Sequence, residues 1–296
     1  MRRLFRFALL LSLLYLHGTA VAESRIECDA LKSRVLKDTV HYCVLLPASY
    51  DANATKNVGL YPVLYFLHGL GDNEQSLIRI GALQAVNELR SQQKIGDFLM
   101  VAPEGKRSFF INSADNSYRY SDFFMREFIS YIESKYRVRH DRSGRAITGI
   151  SMGGYGALRF AFAYPDTFSS VSAESAALIT DTPAEINAGM RSGMPILRVL
   201  GKVFGNPINL VHWRQNNPLV LAKLNEAGVK TLAISFNCGR DDEYGFARGA
   251  EALHKQLLAE GAKHEFHIYP GEHTAGYFVG HLPELLEFHS RAFEKR

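Results

Sequence analysis

Short apolar runs rich in β-forming residues recur along this chain, and amphipathic stretches separate several of them. The runs are 40–46 (VHYCVLL), 63–68 (VLYFLH), 98–102 (FLMVA), 145–150 (RAITGI), 169–173 (SSVSA), 231–237 (TLAISFN) and 265–269 (EFHIY). Most are bounded by Gly, Pro, Asp or Asn, as strands are. Between them, 120–136 sets Phe124, Phe128, Ile132 and Tyr136 at four-residue steps, and 247–261 sets Ala250, Leu253 and Leu257 on one face ahead of Gly261. That spacing predicts helices with one apolar side. Strands that are apolar on both faces and joined by helical crossovers build a mostly parallel sheet covered on each side. The expected architecture is a three-layer α/β sandwich.

With 296 residues, 47% of them hydrophobic and 22% charged, the chain has an ordinary globular composition. No internal repeat, low-complexity tract or Pro/Ser-rich linker divides it, so 23–296 reads as one domain. The segment 176–217 departs from the alternation: Gly and Pro are scattered through it and its helical periodicity is weak. It follows the fifth predicted strand, which makes it a candidate lid or pocket insertion.

At the N-terminus, Arg2, Arg3 and Arg6 precede an apolar run over 7–16, and Ala20 and Ala22 then form a small-x-small pair. The run is shorter than the roughly 20 residues a bilayer requires. Residues 1–22 therefore read as a cleaved signal peptide, and the remainder as secreted or periplasmic. Removing them takes Lys+Arg from 34 to 31 against 30 Asp+Glu, so the net charge falls from +4 to +1. No Lys/Arg stripe interleaves with aromatics, which argues against a nucleic-acid partner, and no other run is long enough to span a membrane. No feature sets an oligomeric state. Export permits a disulfide between Cys28 and Cys43 with Cys238 left over; the spacing is equally compatible with three reduced thiols.

The stretch GISMGG (149–154) lies between the predicted strand 145–150 and a predicted helix, YGALRFAFAYP, that stops at Pro165. A G-x-S-x-G sequence in a strand-turn-helix context is a nucleophile elbow: Gly149 and Gly153 leave room for a sharp turn that presents Ser151. The following helix directs its N-terminal N–H groups at any oxyanion formed there. A serine hydroxyl attacks only if a base takes its proton and a third group orients that base. Downstream, 237–245 ends a predicted strand with Asp241 and Asp242, which compete for the orienting role, and 269–276 ends the next with His273. His267 lies mid-strand, His289 in the C-terminal helix, and His281 at that helix's start before Pro283. A metal set of His264, His267 and His273 has no recognised ligand spacing, and no metal or organic cofactor is expected. A second oxyanion donor besides the Met152 N–H is expected from the glycine-rich turn 68–71, at the Leu70 N–H, with His68 and Gly69 against the substrate.

The blocks LHGLGDNEQS (67–76), DRSGRAITGISMGGYGAL (141–158), NCGRDDEYG (237–245) and YPGEHTAGYFVGHLPELLEF (269–288) resemble those of the esterase D and antigen 85 type esterases, a branch of the α/β-hydrolase fold. That branch includes tributyrin, feruloyl and acetylxylan esterases, S-formylglutathione hydrolases and mycolyltransferases. The resemblance runs from about 36 to 288. It implies Ser151 as nucleophile, His273 as base and Asp242 rather than Asp241 as acid. It also implies that 102–115 is a substrate-side loop placing Phe109, Phe110 and Asn112 in the pocket. One departure is SAESAA (172–177), where the family has a Ser-Gly pair and this chain has Ala176. The expectation is a secreted serine carboxylesterase that hydrolyses short-chain acyl, phenolic or sugar esters through an acyl-enzyme. Alternatives are acyl transfer to a sugar hydroxyl, hydrolysis of a thioester as S-formylglutathione hydrolases perform it, and a non-catalytic binding relative. The presence of all three triad residues argues against the last.

Overall fold

A computed structural model describes residues 24–52, 59–190 and 195–294. The expected signal peptide, 1–22, lies outside the described residues. The strands are β1 (Arg25–Lys32), β2 (Thr39–Leu46), β3 (Val63–Leu67), β4 (Leu99–Pro103), β5 (Arg145–Ile150), β6 (Ser170–Glu174), β7 (Ala233–Gly239) and β8 (Glu265–Tyr269). They form one eight-stranded sheet in the order β1-β2-β4-β3-β5-β6-β7-β8. β1 and β2 pair antiparallel, as do β2 and β4; every other pairing is parallel.

Period-two alternation inside the strands creates two cores. Val63, Tyr65 and Leu67 of β3 face one side, with Leu99, Val101 and Ile147, in a core that also takes in residues of the helices Met152–Ala163 and Phe246–Ala259. Leu64 and Phe66 face the other, with Met100 and Ala102, and pack on Ala82–Ser91 and Ala275–Glu294. The expected α/β-hydrolase sandwich is the observed fold. All five residues of β3 are buried, which is why this strand reads as an unbroken apolar run.

Three features differ from the sequence reading. β1 was not expected, because its sequence, RIECDALK, is charged and half-exposed; charged side chains are common on an edge strand, where they discourage pairing with another chain. Cys28 and Cys43 face each other in the β1–β2 register and are joined by a disulfide. The C-terminal helix starts at Ala275, not near His281, and runs through Pro283. A proline inside a helix removes one hydrogen bond and crowds the preceding turn. Here the helix is held by burial of Leu282, Leu285, Leu286 and Phe293. His289 adds a polar tie, bonded to Ser170 Oγ at 2.8 Å and Ser172 Oγ at 2.9 Å on β6. The third is the predicted helix 120–136, which carries a π-helical stretch at Phe124–Phe128 and ends before Tyr136.

The described residues of the segment 176–217 form three helices, Pro183–Met190, Pro195–Phe204 and Leu210–Asn216. Asn209 caps the last by accepting from the N–H groups of Val211 and His212, both at 3.1 Å. Asn216 fastens it to the helix behind Ser151: its carbonyl accepts from Tyr155 OH at 2.7 Å and its Oδ1 from Arg159 Nε at 3.0 Å. Among the described residues no helix is long and apolar enough to cross a membrane.

Candidate active site

Ser151 stands at the C-terminal end of β5 with φ 56° and ψ −116°, a backbone state that L residues rarely adopt and that surrounding structure must hold. Its N–H donates to Glu174 O at 2.9 Å, and its C=O accepts from Ala177 N–H at 3.0 Å. The flanking glycines are required by space. A Cβ on Gly149 would lie 2.3 Å from the carbonyl of Gly153, and one on Gly153 would lie 1.9 Å from Leu67 O. The Glu174 carboxyl beneath this turn is fully buried; burial pushes it well above the ordinary carboxylate range, with Glu284 adding to the rise, so it stays uncharged.

His273 and Asp242 are brought to Ser151 by the loops after β8 and β7. Ser151 Oγ lies 3.0 Å from His273 Nε2, and His273 Nδ1 lies 2.7 Å from Asp242 Oδ2. Burial pushes the Asp242 carboxyl up, but the hydrogen bond and charge of His273 and the Phe246 and Tyr244 amides hold it below its ordinary value. The carboxylate is therefore ionised and accepts the Nδ1–H, which leaves Nε2 free to accept from the Ser151 hydroxyl. Asp241 is exposed; its own N–H donates to Gly271 O at 2.9 Å. Glu243 contributes too, accepting the His273 N–H at 3.1 Å. Cys238, left over by the cysteine count, lies under Asp242 at 3.7 Å from Oδ2. Burial pushes its thiol up to about 12, so it remains a neutral donor.

The Leu70 and Met152 amides have no hydrogen-bond partner among the described residues, and both residues line the cavity that holds Ser151 and His273. His68 does not line it; it lies fully buried behind the turn. Gly105 N–H donates to its Nε2 at 2.8 Å, so the proton sits on Nδ1 and is donated to Gly69 O, also at 2.8 Å. That carbonyl belongs to the same peptide unit as the Leu70 N–H, so the histidine orients the amide plane. Burial lowers the His68 pKa and keeps the ring neutral. Gly69 sits close to the serine: a Cβ there would be 3.7 Å from that of Ser151.

The cavity has a volume of about 530 Å³, and Phe109 forms part of its wall. Phe110 and Asn112, also expected to line it, do not. Phe110 is buried in the core against His68 and Tyr120, and Asn112 Oδ1 accepts the Asp122 N–H at 3.1 Å to shape the loop. In their place the wall includes Arg107, Ala177, Val199, Tyr244 and Phe246. Val199 comes from the segment expected to be a lid or pocket wall. Tyr244 and Phe246 could have been found by their nearness to Asp242 in sequence, since a loop that delivers the acid also delivers its neighbours.

Residues 33–289 match the family model described as "Putative esterase". Among curated proteins, the acetyl esterase of Caldicellulosiruptor saccharolyticus is 29% identical over 213 residues, 71% of this chain and 78% of that protein. An esterase of Mycobacterium tuberculosis is 25% identical over 249 residues, 78% of this chain; the match spans about half of that longer protein, 52%. Among solved structures, a ferulic acid esterase superposes with a TM-score of 0.76 at 27% identity, covering 92% of this chain and 99% of that one.

Proposed function

Because the chain belongs to the esterase family whose model it matches, we propose that it hydrolyses carboxylic esters through Ser151, His273 and Asp242. The observation that carries this reading is the unbroken line from Ser151 Oγ to His273 Nε2 (3.0 Å) and from His273 Nδ1 to Asp242 Oδ2 (2.7 Å). In the proposed reaction His273 takes the serine proton as Oγ attacks the ester carbonyl. Asp242 holds the imidazole tautomer and stabilises the imidazolium. The Leu70 and Met152 N–H groups, assisted by the positive end of the helix Met152–Ala163, receive the oxyanion. His273 then protonates the departing alcohol oxygen, and water, deprotonated by the same imidazole, releases the acid from the acyl-enzyme.

The cavity volume and the aromatic side chains in its wall, Phe109, Tyr244 and Phe246, suit a short acyl group or a phenolic acid, in keeping with the acetyl and ferulic acid esterases to which the chain is similar. The proposal includes export, supported by the sequence of residues 1–22 and by the Cys28–Cys43 disulfide. N-terminal sequencing of protein recovered outside the cytoplasm tests it, with a new terminus at Glu23 expected.

The test of the chemistry is hydrolysis of p-nitrophenyl esters from C2 to C12 by the wild type and by Ser151→Ala. Expected are turnover strongest on short chains and a loss of about 10⁴-fold or more in kcat for the variant. Retention of wild-type turnover by folded Ser151→Ala would end this reading.

A further inference from the structure

Arg107 lines two cavities at once. One is the catalytic cavity; the other, of about 210 Å³, includes Lys106, Ser108, Tyr118 and Lys202 in its wall. Among the described residues Lys106 has a carboxylate partner, Asp38 at 2.5 Å, whereas neither Arg107 nor Lys202 has one. Of the two acids on the same loop, Asp115 is engaged by Ser113 Oγ at 2.6 Å and by Ser117 Oγ at 2.8 Å and N–H at 3.0 Å, and Glu104 lies near Tyr118 and Tyr120 and forms no ion pair with Arg107. A guanidinium without a counterion in the wall of a reaction cavity biases that cavity toward anions.

The loop carrying Arg107 is braced. Ser108 Oγ donates to Gly105 O at 2.7 Å and accepts from Phe110 N–H at 3.0 Å, and Gly105 N–H is held by His68 Nε2. The same histidine therefore fixes both the proposed oxyanion turn and the root of the arginine loop.

Sheet order decides which part of a substrate would meet Arg107. Its loop follows β4, which lies on one flank of β5 beyond β3; the loops carrying Asp242 and His273 follow β7 and β8, on the other flank. The leaving oxygen must reach His273, whose ring is flanked by Tyr244 and Phe246 with centroids at 5.0 and 5.5 Å. The alcohol therefore lies toward β7 and β8 and the acyl group toward β4. Resting on the serine-esterase reading, we propose that Arg107, with Lys202 behind it, forms a subsite for a carboxylate or equivalent anion on the acyl portion of the substrate.

The test compares kcat/KM for p-nitrophenyl monoadipate with that for its neutral counterpart, p-nitrophenyl heptanoate, corrected for uncatalysed hydrolysis. A second arm compares 4-acetoxybenzoate with 4-acetoxybenzamide, which puts the charge on the alcohol instead. The readout is a ratio within one protein, so a general loss of folding or catalysis cancels. In the wild type the adipate ratio should favour the anion by about tenfold, as for one charge-assisted hydrogen bond, and should shrink as salt rises from about 20 to 300 mM. Arg107→Gln should remove that preference, Arg107→Lys should keep part of it, and Lys202→Gln should reduce it by about two- to threefold. An adipate ratio unchanged in Arg107→Gln, or an Arg107-dependent preference in the alcohol arm alone, would overturn the subsite. Absence of turnover on all four esters by folded wild-type protein would overturn the esterase reading and this inference with it.

Discussion

Replacing Gly153 by alanine adds one methyl group at the tightest point of the elbow. Its Cβ would lie 1.9 Å from Leu67 O, 2.4 Å from Leu67 C and 2.7 Å from His68 O, where ordinary contact begins at 3.4 Å. All three atoms are backbone at the end of β3, so no side chain can swing aside, and the first turn of the helix Met152–Ala163 must move from β3 by ~1.5 Å. On helix propensity alone the substitution should stabilise by up to ~1 kcal/mol. Overpacking costs ~1–3 kcal/mol, so the net change is destabilising. The movement also carries Met152 N–H away from Leu70 N–H, which stands three residues beyond Leu67. In the proposed oxyanion site, two donors that converge on one oxygen at ~2.7–3.1 Å do not tolerate such a shift, and kcat/KM on p-nitrophenyl acetate should fall by ~10² or more. Urea midpoints and steady-state kinetics measure both effects. Gly154→Ala is the graded comparison, because its Cβ meets Ala176 at 3.0 Å and Gly149 O at 3.1 Å, a misfit of a few tenths of an ångström. The steric argument is refuted if Gly153→Ala matches the wild type in midpoint and rate, or if Gly154→Ala is equally damaging.

Asp242→Asn should lower kcat by about 10³ to 10⁴-fold, because an amide that presents its NH₂ to His273 favours the wrong tautomer. Asp241→Asn, changed at an exposed carboxylate, should stay within about threefold; equal losses in the two variants would show that the acid has been misassigned. His289 gives a prediction about acid stability. Burial lowers its pKa from 6.5 to about 3, so between those values unfolding takes up a proton. Its contribution is intact above about pH 6.5 and is lost as the pH falls toward 3, with a slope of at most ~1.4 kcal/mol per pH unit. Urea unfolding at several pH values should show a shallower acid decline in His289→Gln than in the wild type; identical slopes would rule the contribution out.

Much of this protein was legible before any coordinate. The central strands are apolar on both faces because helices cover both faces, and that burial writes itself into the sequence as uninterrupted runs. Gly149 and Gly153 were readable for a similar reason: a backbone approach of under 3 Å excludes every side chain, so the requirement falls on residue type. The placement of Ser151, of an aspartate pair and of His273 at three strand ends followed from the alternation of strands and helices, and the choice of Asp242 over Asp241 from the family resemblance.

Tertiary structure alone decided the rest, where the determining partner lies far away in sequence. β1 has no apolar run because its faces at the sheet edge are only partly buried, and its disulfide depends on register with β2. Pro283 lies inside a helix because burial on the sheet outweighs a local penalty. Phe109 and Phe110 are adjacent and chemically identical, yet one faces the cavity and the other packs under His68. His68 itself resembles a substrate contact in sequence; what turns its ring toward the Gly69 carbonyl instead is the Gly105 N–H, 37 residues away. Arg107 and Val199 come from segments already expected at the pocket, 102–115 and 176–217, but which of their side chains reach the cavity is set by packing. Residue type reports the chemistry a position can perform, and long-range packing selects which positions meet.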